Sequence, residues 1–122
     1  MNNWTSILVF AAILFLFLLF KRAGQIPAKA AAEHLKNGAI VIDVRSPGEF
    51  GAGHLPKAVN IPLDQIEAVV PGKVKDKSQV LLLHCQSGMR SSVAKKKLRA
   101  LGYTSVYNLG SYARAAQVVG NR

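Results

Sequence analysis

Cys85 is the single cysteine among 122 residues, and its surroundings make it a candidate nucleophile. It opens the run Cys85-Gln86-Ser87-Gly88-Met89-Arg90, which follows the apolar segment Val80-Leu81-Leu82-Leu83 and precedes a helical stretch. A cysteine after a strand and before a helix meets unpaired backbone N–H groups and about half a positive charge from the helix end. Such a place attracts anions and favours the thiolate, which is the nucleophilic form. Arg90 adds a cation, and Gly88 lets the chain curl so that several amides point inward. A lone thiol excludes an internal disulfide framework and chemistry that needs a resolving cysteine. To react it must also be reachable from solvent, because a lone cysteine after an apolar strand otherwise serves as a small buried hydrophobe.

Other chemistry-bearing residues are fewer. Asp43 and Arg45 end an earlier apolar strand, either bracing the loop or forming a plain surface pair. His34, His54 and His84 lack metal-ligand spacing, so no metal site is expected. His84 adjoins the candidate nucleophile but points to the opposite side of an extended strand, which argues against a general-base role. Lys95-Lys96-Lys97 and Arg99, with Lys73, Lys75 and Lys77, form basic clusters. With few aromatics downstream and no nucleic-acid motif, nucleic acid is not the expected partner. A net charge of +10 suits anionic lipid headgroups and small anionic substrates better.

Positioning these residues takes alternating elements. Ala28 to Lys36 reads as a helix stopped by Asn37-Gly38, and Ala39 to Ile42 as a strand buried on both faces. Ser46 to Phe50 is a turn leading into a short helix, Ala58 to Ile61 a brief strand, Leu63 to Val70 a short helix, and Pro71 to Ser78 an exposed Lys-rich turn. Val80 to Leu83 is the second apolar strand. The helix after the loop places Ala94, Leu98 and Leu101 on one face and ends at Gly102. Thr104 to Tyr107 is a last strand and Ser111 to Val119 a last helix. Strands alternating with helices predict an α/β domain with a parallel, helix-covered sheet.

Residues 1–22 form a separate unit. Sixteen of the first 20 residues are apolar and no charge precedes Lys21. Trp4 to Phe20 would reach roughly 25 Å as a helix, at the short end for spanning a bilayer. The basic pair Lys21-Arg22 follows the apolar run instead of preceding it, and no Ala-x-Ala follows directly. That order favours an uncleaved single-pass anchor over a signal peptide, with residues 23–122 on the cytoplasmic face of the inner membrane.

The soluble part resembles the rhodanese-like sulfurtransferases from about Ile26 to the C-terminus. The resemblance rests on Asp43-Val44-Arg45, Glu49-Phe50, Gly53-His54-Leu55, Ala58-Val59-Asn60-Ile61-Pro62, the loop Cys85 to Arg90, and Asn108-Leu109-Gly110. It implies a five-stranded parallel sheet flanked by helices and no metal or organic cofactor. It also implies that Cys85 takes sulfane sulfur from a small anionic donor such as thiosulfate and passes it to a thiol, cyanide or protein acceptor. Gln86, Ser87, Gly88, Met89, Arg90 and Arg45 would hold the substrate, with Asp43, Glu49 and His54 as structural support. Related phosphatases have five residues between cysteine and arginine where this chain has four, and the tighter ring suits a sulfur atom better than a phosphate. A non-catalytic module recruiting partners to the membrane is the rival from another class. Ser111-Tyr112 stand where many relatives have a second glycine and a nearby tryptophan, so the substrate rim differs.

Overall fold

The uncharged N-terminal run folds as a single helix, α1 (Asn3–Ala23). Its large apolar side chains from Trp4 to Phe20 are all exposed to the surroundings. Residues 3–20 have a mean hydropathy of 2.3 and bury nothing against the rest of the chain. A helix of this length and character can cross a bilayer, and a signal sequence has the same character. The structure, a computed structural model, describes residues 2–120. For residues 21–23 it describes the backbone alone, so the orienting role expected of the Lys21 and Arg22 side chains lies outside the described residues.

After Gly24 to Pro27 the chain enters α2 (Ala28–Lys36), then β1 (Ile40–Asp43), α3 (Pro47–Ala52) and β2 (Val59–Asn60). A 3-10 turn over Leu63–Gln65 leads into α4 (Ile66–Lys73), followed by β3 (Leu81–His84), α5 (Met89–Ala100), β4 (Val106–Gly110) and α6 (Tyr112–Gly120). Pro71 lies inside α4 rather than ending it. Val74 N–H still donates to the Val70 carbonyl at 2.8 Å, so the last turn closes despite the missing proline donor.

The strands form a parallel sheet in the order β2-β1-β3-β4, with Asp43 level with both Asn60 and His84. Four strands stand where five were expected among the described residues. The chain beside β4 does supply one such contact, Ile26 N–H donating to the Asn108 carbonyl at 2.9 Å. Pro27 has no N–H to extend it, so the pairing stops short of a strand.

Alternation along the strands divides the core. Ile42, Val44, Leu81, Leu83, Cys85 and Val106 face α4 and α5, packing on Ile66, Val70, Ala94 and Leu98. Val41, Leu82 and Leu109 face α2 and α6, packing on Ala31, Leu35, Ala115 and Val118. The period of two therefore puts Cys85 and His84 on opposite faces of the sheet. Leu101, expected on the buried face of α5, is instead its exposed C-cap, and Ser91 takes the extra buried position one turn before Ala94.

Candidate active site

The loop between β3 and α5 is shaped by two close backbones. Gly88 is the N-cap of α5 with φ +96°, and Gly110 at the end of β4 has φ +94°. Both lie in the left-handed region that favours glycine. A Cβ on Gly88 would stand 3.3 Å from the Gly110 Cα, and one on Gly110 would stand 2.7 Å from Gln25 Nε2. Only side-chain-free residues let the loop, the strand end and the segment leaving α1 meet this closely.

That curl aims donors at sulfur. Gly88 N–H donates to Cys85 Sγ at 3.0 Å, and the Ser91 hydroxyl reaches it at 3.6 Å. Burial pushes the thiol pKa up, but hydrogen bonds from the Ser91 amide and hydroxyl and from the Gly88 and Ser87 amides outweigh it. The net direction is down from the ordinary 9.0. The single Ser91 proton has two nearer acceptors, Asn108 Oδ1 at 2.7 Å and the Gly88 carbonyl at 3.2 Å. Asn108 in turn donates to the Gly88 carbonyl at 3.2 Å and accepts from Gly110 N–H at 2.8 Å. Ser91 and Asn108 are thus parts of the site that sequence reasoning gave no role. Their types and the neighbourhood of the loop were visible, but the crossover that brings β4 beside β3 was needed to see them meet.

Cys85 itself is 0% exposed, contrary to the expectation of a solvent-reachable thiol. The curled loop and the first turn of α5 enclose its sulfur, while the side chains of Gln86, Ser87 and Met89 point outward and are exposed. An open depression of about 440 Å³ is lined by Ser46, Pro47, Leu63, Arg90 and Lys97 among others, but not by Cys85.

Arg45 joins the strand ends to the loop. Its guanidinium is buried, pairs with Asp43 at 2.8 Å, donates to the Gly53 carbonyl at 2.7 Å and to Gln86 Oε1 at 3.3 Å, and lies 4.5 Å over the Tyr112 ring. The hydrogen bond to Asp43 is the main cause of its raised pKa. Of the two expectations for this pair, the plain surface pair fails, since Asp43 is fully buried. A buried carboxylate of this kind is tolerable because arginine satisfies it with several N–H donors.

Arg90 stands at the start of α5 and is half-buried. Its fork is engaged with Glu49, Nη1 to Oε1 at 2.7 Å and Nη2 to Oε2 at 3.0 Å. Glu49 also closes the capping box of α3 with Ser46. Arg90, first, and the Ser46 amide hold the Glu49 carboxyl at about 2, well below its ordinary 4.5. Glu49 therefore ties α3 to the start of α5. His54 is exposed, stacks on Phe50 with ring centroids 3.8 Å apart and bonds the Phe50 carbonyl at 2.9 Å, a local structural role.

His84 packs on the other side of the sheet, edge-on to Tyr112, with Nε2 3.7 Å from Asp43 Oδ2 and without a hydrogen-bond partner. Burial, more than any other influence, lowers its pKa from 6.5, so the imidazole is neutral at neutral pH.

Comparison with known proteins matches these features. The rhodanese-like domain family matches residues 27–114. The chain is 35% identical to the uncharacterized protein YqhL of Bacillus subtilis, covering 89% of this chain and 88% of that protein. It is 38% identical to the thiosulfate sulfurtransferase PspE of Escherichia coli, covering 66% and 71%. The solved structure of a rhodanese with anions from E. coli superposes with a TM-score of 0.61 at 34% identity, covering 63% of this chain and 91% of that one. These relatives support sulfur transfer as the general chemistry. With the α/β sheet, the strand-loop-helix around Cys85 and this match in agreement, the chain belongs to the rhodanese-like domain family.

Proposed function

We propose that the protein is a sulfurtransferase that moves sulfane sulfur from a donor such as thiosulfate to a thiophilic acceptor through a persulfide on Cys85. The observation that carries this reading is the convergence of the Gly88 amide and the Ser91 hydroxyl on Cys85 Sγ, with a thiol pKa displaced downward despite burial. In the first half-reaction the thiolate attacks the outer sulfur of thiosulfate. The Cys85 S–S bond forms, the donor's S–S bond breaks, and sulfite leaves with the electron pair. The terminal persulfide sulfur carries the negative charge, and the inward-facing amides stabilise it as preorganised donors. Cyanide or a thiolate then attacks that sulfur and releases Cys85 as thiolate.

Gln86, Ser87 and Met89 form the rim that meets the donor, with Gly88 contributing its amide. Arg45 acts on the donor through Gln86, as a positioning residue. Arg90, held by Glu49, adds long-range positive potential and fixes the start of α5. Because Cys85 is enclosed, donor entry includes a displacement of the segment Gln86 to Met89. The protein is anchored by α1 in the inner membrane with its domain on the cytoplasmic side, and small anionic donors, low-molecular-weight thiols and protein thiols are its partners.

Intact-mass analysis of the full chain in detergent after thiosulfate treatment is the test. One added sulfur is expected on the wild type and none on Cys85→Ser; sulfur retained by the variant defeats the assignment. Full enclosure of Cys85 is the observation that favours the non-catalytic recruitment module. Iodoacetamide separates the two readings: a catalytic Cys85 is alkylated below pH 7 in the folded protein, whereas a module's buried thiol is not. Phosphatase chemistry ranks behind both, since the loop is one residue shorter than the phosphatase cradle and Glu49 holds two of the Arg90 N–H groups.

A further inference from the structure

The distance along the chain between α1 and the loop is very short. α1 ends at Ala23, and Gln25, two residues on, already packs its side-chain amide against Gly110 and lies near Gly88. Two residues span at most about 7 Å. A domain of about 100 residues has a radius of gyration near 13 Å, so a freely placed loop could lie roughly 30 Å from its tether point. Here it cannot. Whatever surface α1 enters, the Cys85 loop sits on the near side of the domain.

The side chains on that side fit a headgroup layer. Along α5, Met89, Val93 and Lys96 recur at i, i+4 and i+7 and so share one face. All three are exposed, Met89 by 65% and Val93 by 44%. Met89 directly follows Gly88, which Gln25 approaches, so the apolar pair is continuous with the tether contact. No acidic residue interrupts the stripe. Apolar residues beside basic ones, on a helix next to an anchor, have the composition of a surface that rests at the headgroup boundary of an anionic bilayer.

We propose that this face of α5 docks on the anionic headgroups of the membrane that α1 enters, so that the Cys85 loop exchanges sulfur with molecules held at that surface. The docking rests on α1 being an uncleaved anchor; the exchange of sulfur at that surface rests in addition on the Cys85 persulfide proposed above.

The test uses the full chain carrying Cys85→Ser, which has no sulfur chemistry to report, with a single new cysteine by Val93→Cys or Ser78→Cys. Ser78 is exposed and precedes β3, at the end of the sheet opposite the loop. Each variant is labelled with a fluorophore and reconstituted in vesicles of phosphatidylcholine and phosphatidylglycerol containing a nitroxide-headgroup lipid. Quenching several-fold stronger at 93 than at 78 is expected, with the difference reduced by adding Lys96→Glu. Equal quenching at the two positions, or a chain that fails to float with the vesicles, overturns the proposal. A difference untouched by Lys96→Glu overturns it as well, since the short tether alone would then account for the difference. Thiosulfate loading of the wild type is scored separately, so failure of docking and failure of catalysis read differently.

Discussion

At Ser91 one hydroxyl proton serves three acceptors, and ionisation of Cys85 changes which acceptor is best. Against a neutral thiol the Asn108 carbonyl at 2.7 Å holds it; against a thiolate the charge at 3.6 Å competes. Ser91→Ala should therefore raise the thiol pKa and slow iodoacetamide alkylation of Cys85 several-fold at pH 7. It should cost about 1 kcal/mol of stability for the lost buried hydrogen bond. An unshifted alkylation profile would show that the loop amides alone hold the thiolate. At this scale the sequence was informative where chemistry is local. Cys85, Gly88 and the helix start lie within a few residues, and their types announce an anion site. The pairing of Arg90 with Glu49 was not legible in this way, because Glu49 stands on another element.

Elements were legible in their order and less so in their ends. Both central strands run one residue beyond the apolar segments that announce them, because Asp43 and His84 are polar yet lie in register within the sheet. The last strand lies later than the expected Thr104 to Tyr107, running from Val106 to Gly110, for a similar cause. Asn108 and Gly110 look like loop residues, but Asn108 has its hydrogen bonds satisfied by the Gly88 carbonyl, Ser91 and Gly110, and Gly110 supplies the close approach that Gly88 needs. The junction of β3 and α5 makes a sharp prediction. Gly88→Ala places a side chain at φ +96° and 3.3 Å from the Gly110 Cα. The strain is about 1–2 kcal/mol before any clash. The backbone relaxes by swinging the Gly88 N–H away from sulfur. We expect a lower thermal midpoint together with a loss of thiosulfate-dependent mass gain that persists at temperatures where the variant is fully folded. Full sulfur loading of the folded variant would refute it.

For the molecule as a whole, acid is the direction of weakness. His84 is buried with its pKa below 6.5, so the unfolded chain takes up a proton that the folded chain resists, and stability falls as pH drops below 6.5. Glu49, depressed to about 2, stabilises the fold above its ordinary 4.5, and that contribution is lost as pH falls from 4.5 toward 2. The thermal midpoint by circular dichroism should decline in two stages on acidification. His84→Leu should flatten the first stage and leave the second; an unchanged slope between pH 6.5 and 4.5 would assign that loss elsewhere.

The margins of the sheet have a consequence that follows if α1 holds the chain in a bilayer, as proposed above. One margin is β2, just two residues long; beside the other, Ile26 bonds Asn108, and Arg114 donates to the carbonyls of Leu109 and Ile26. Molecules confined to two dimensions meet far more often than in free solution, and long bare strands would zip neighbouring copies together. A stub on one flank and a side-chain clasp on the other leave little bare backbone to serve as that template.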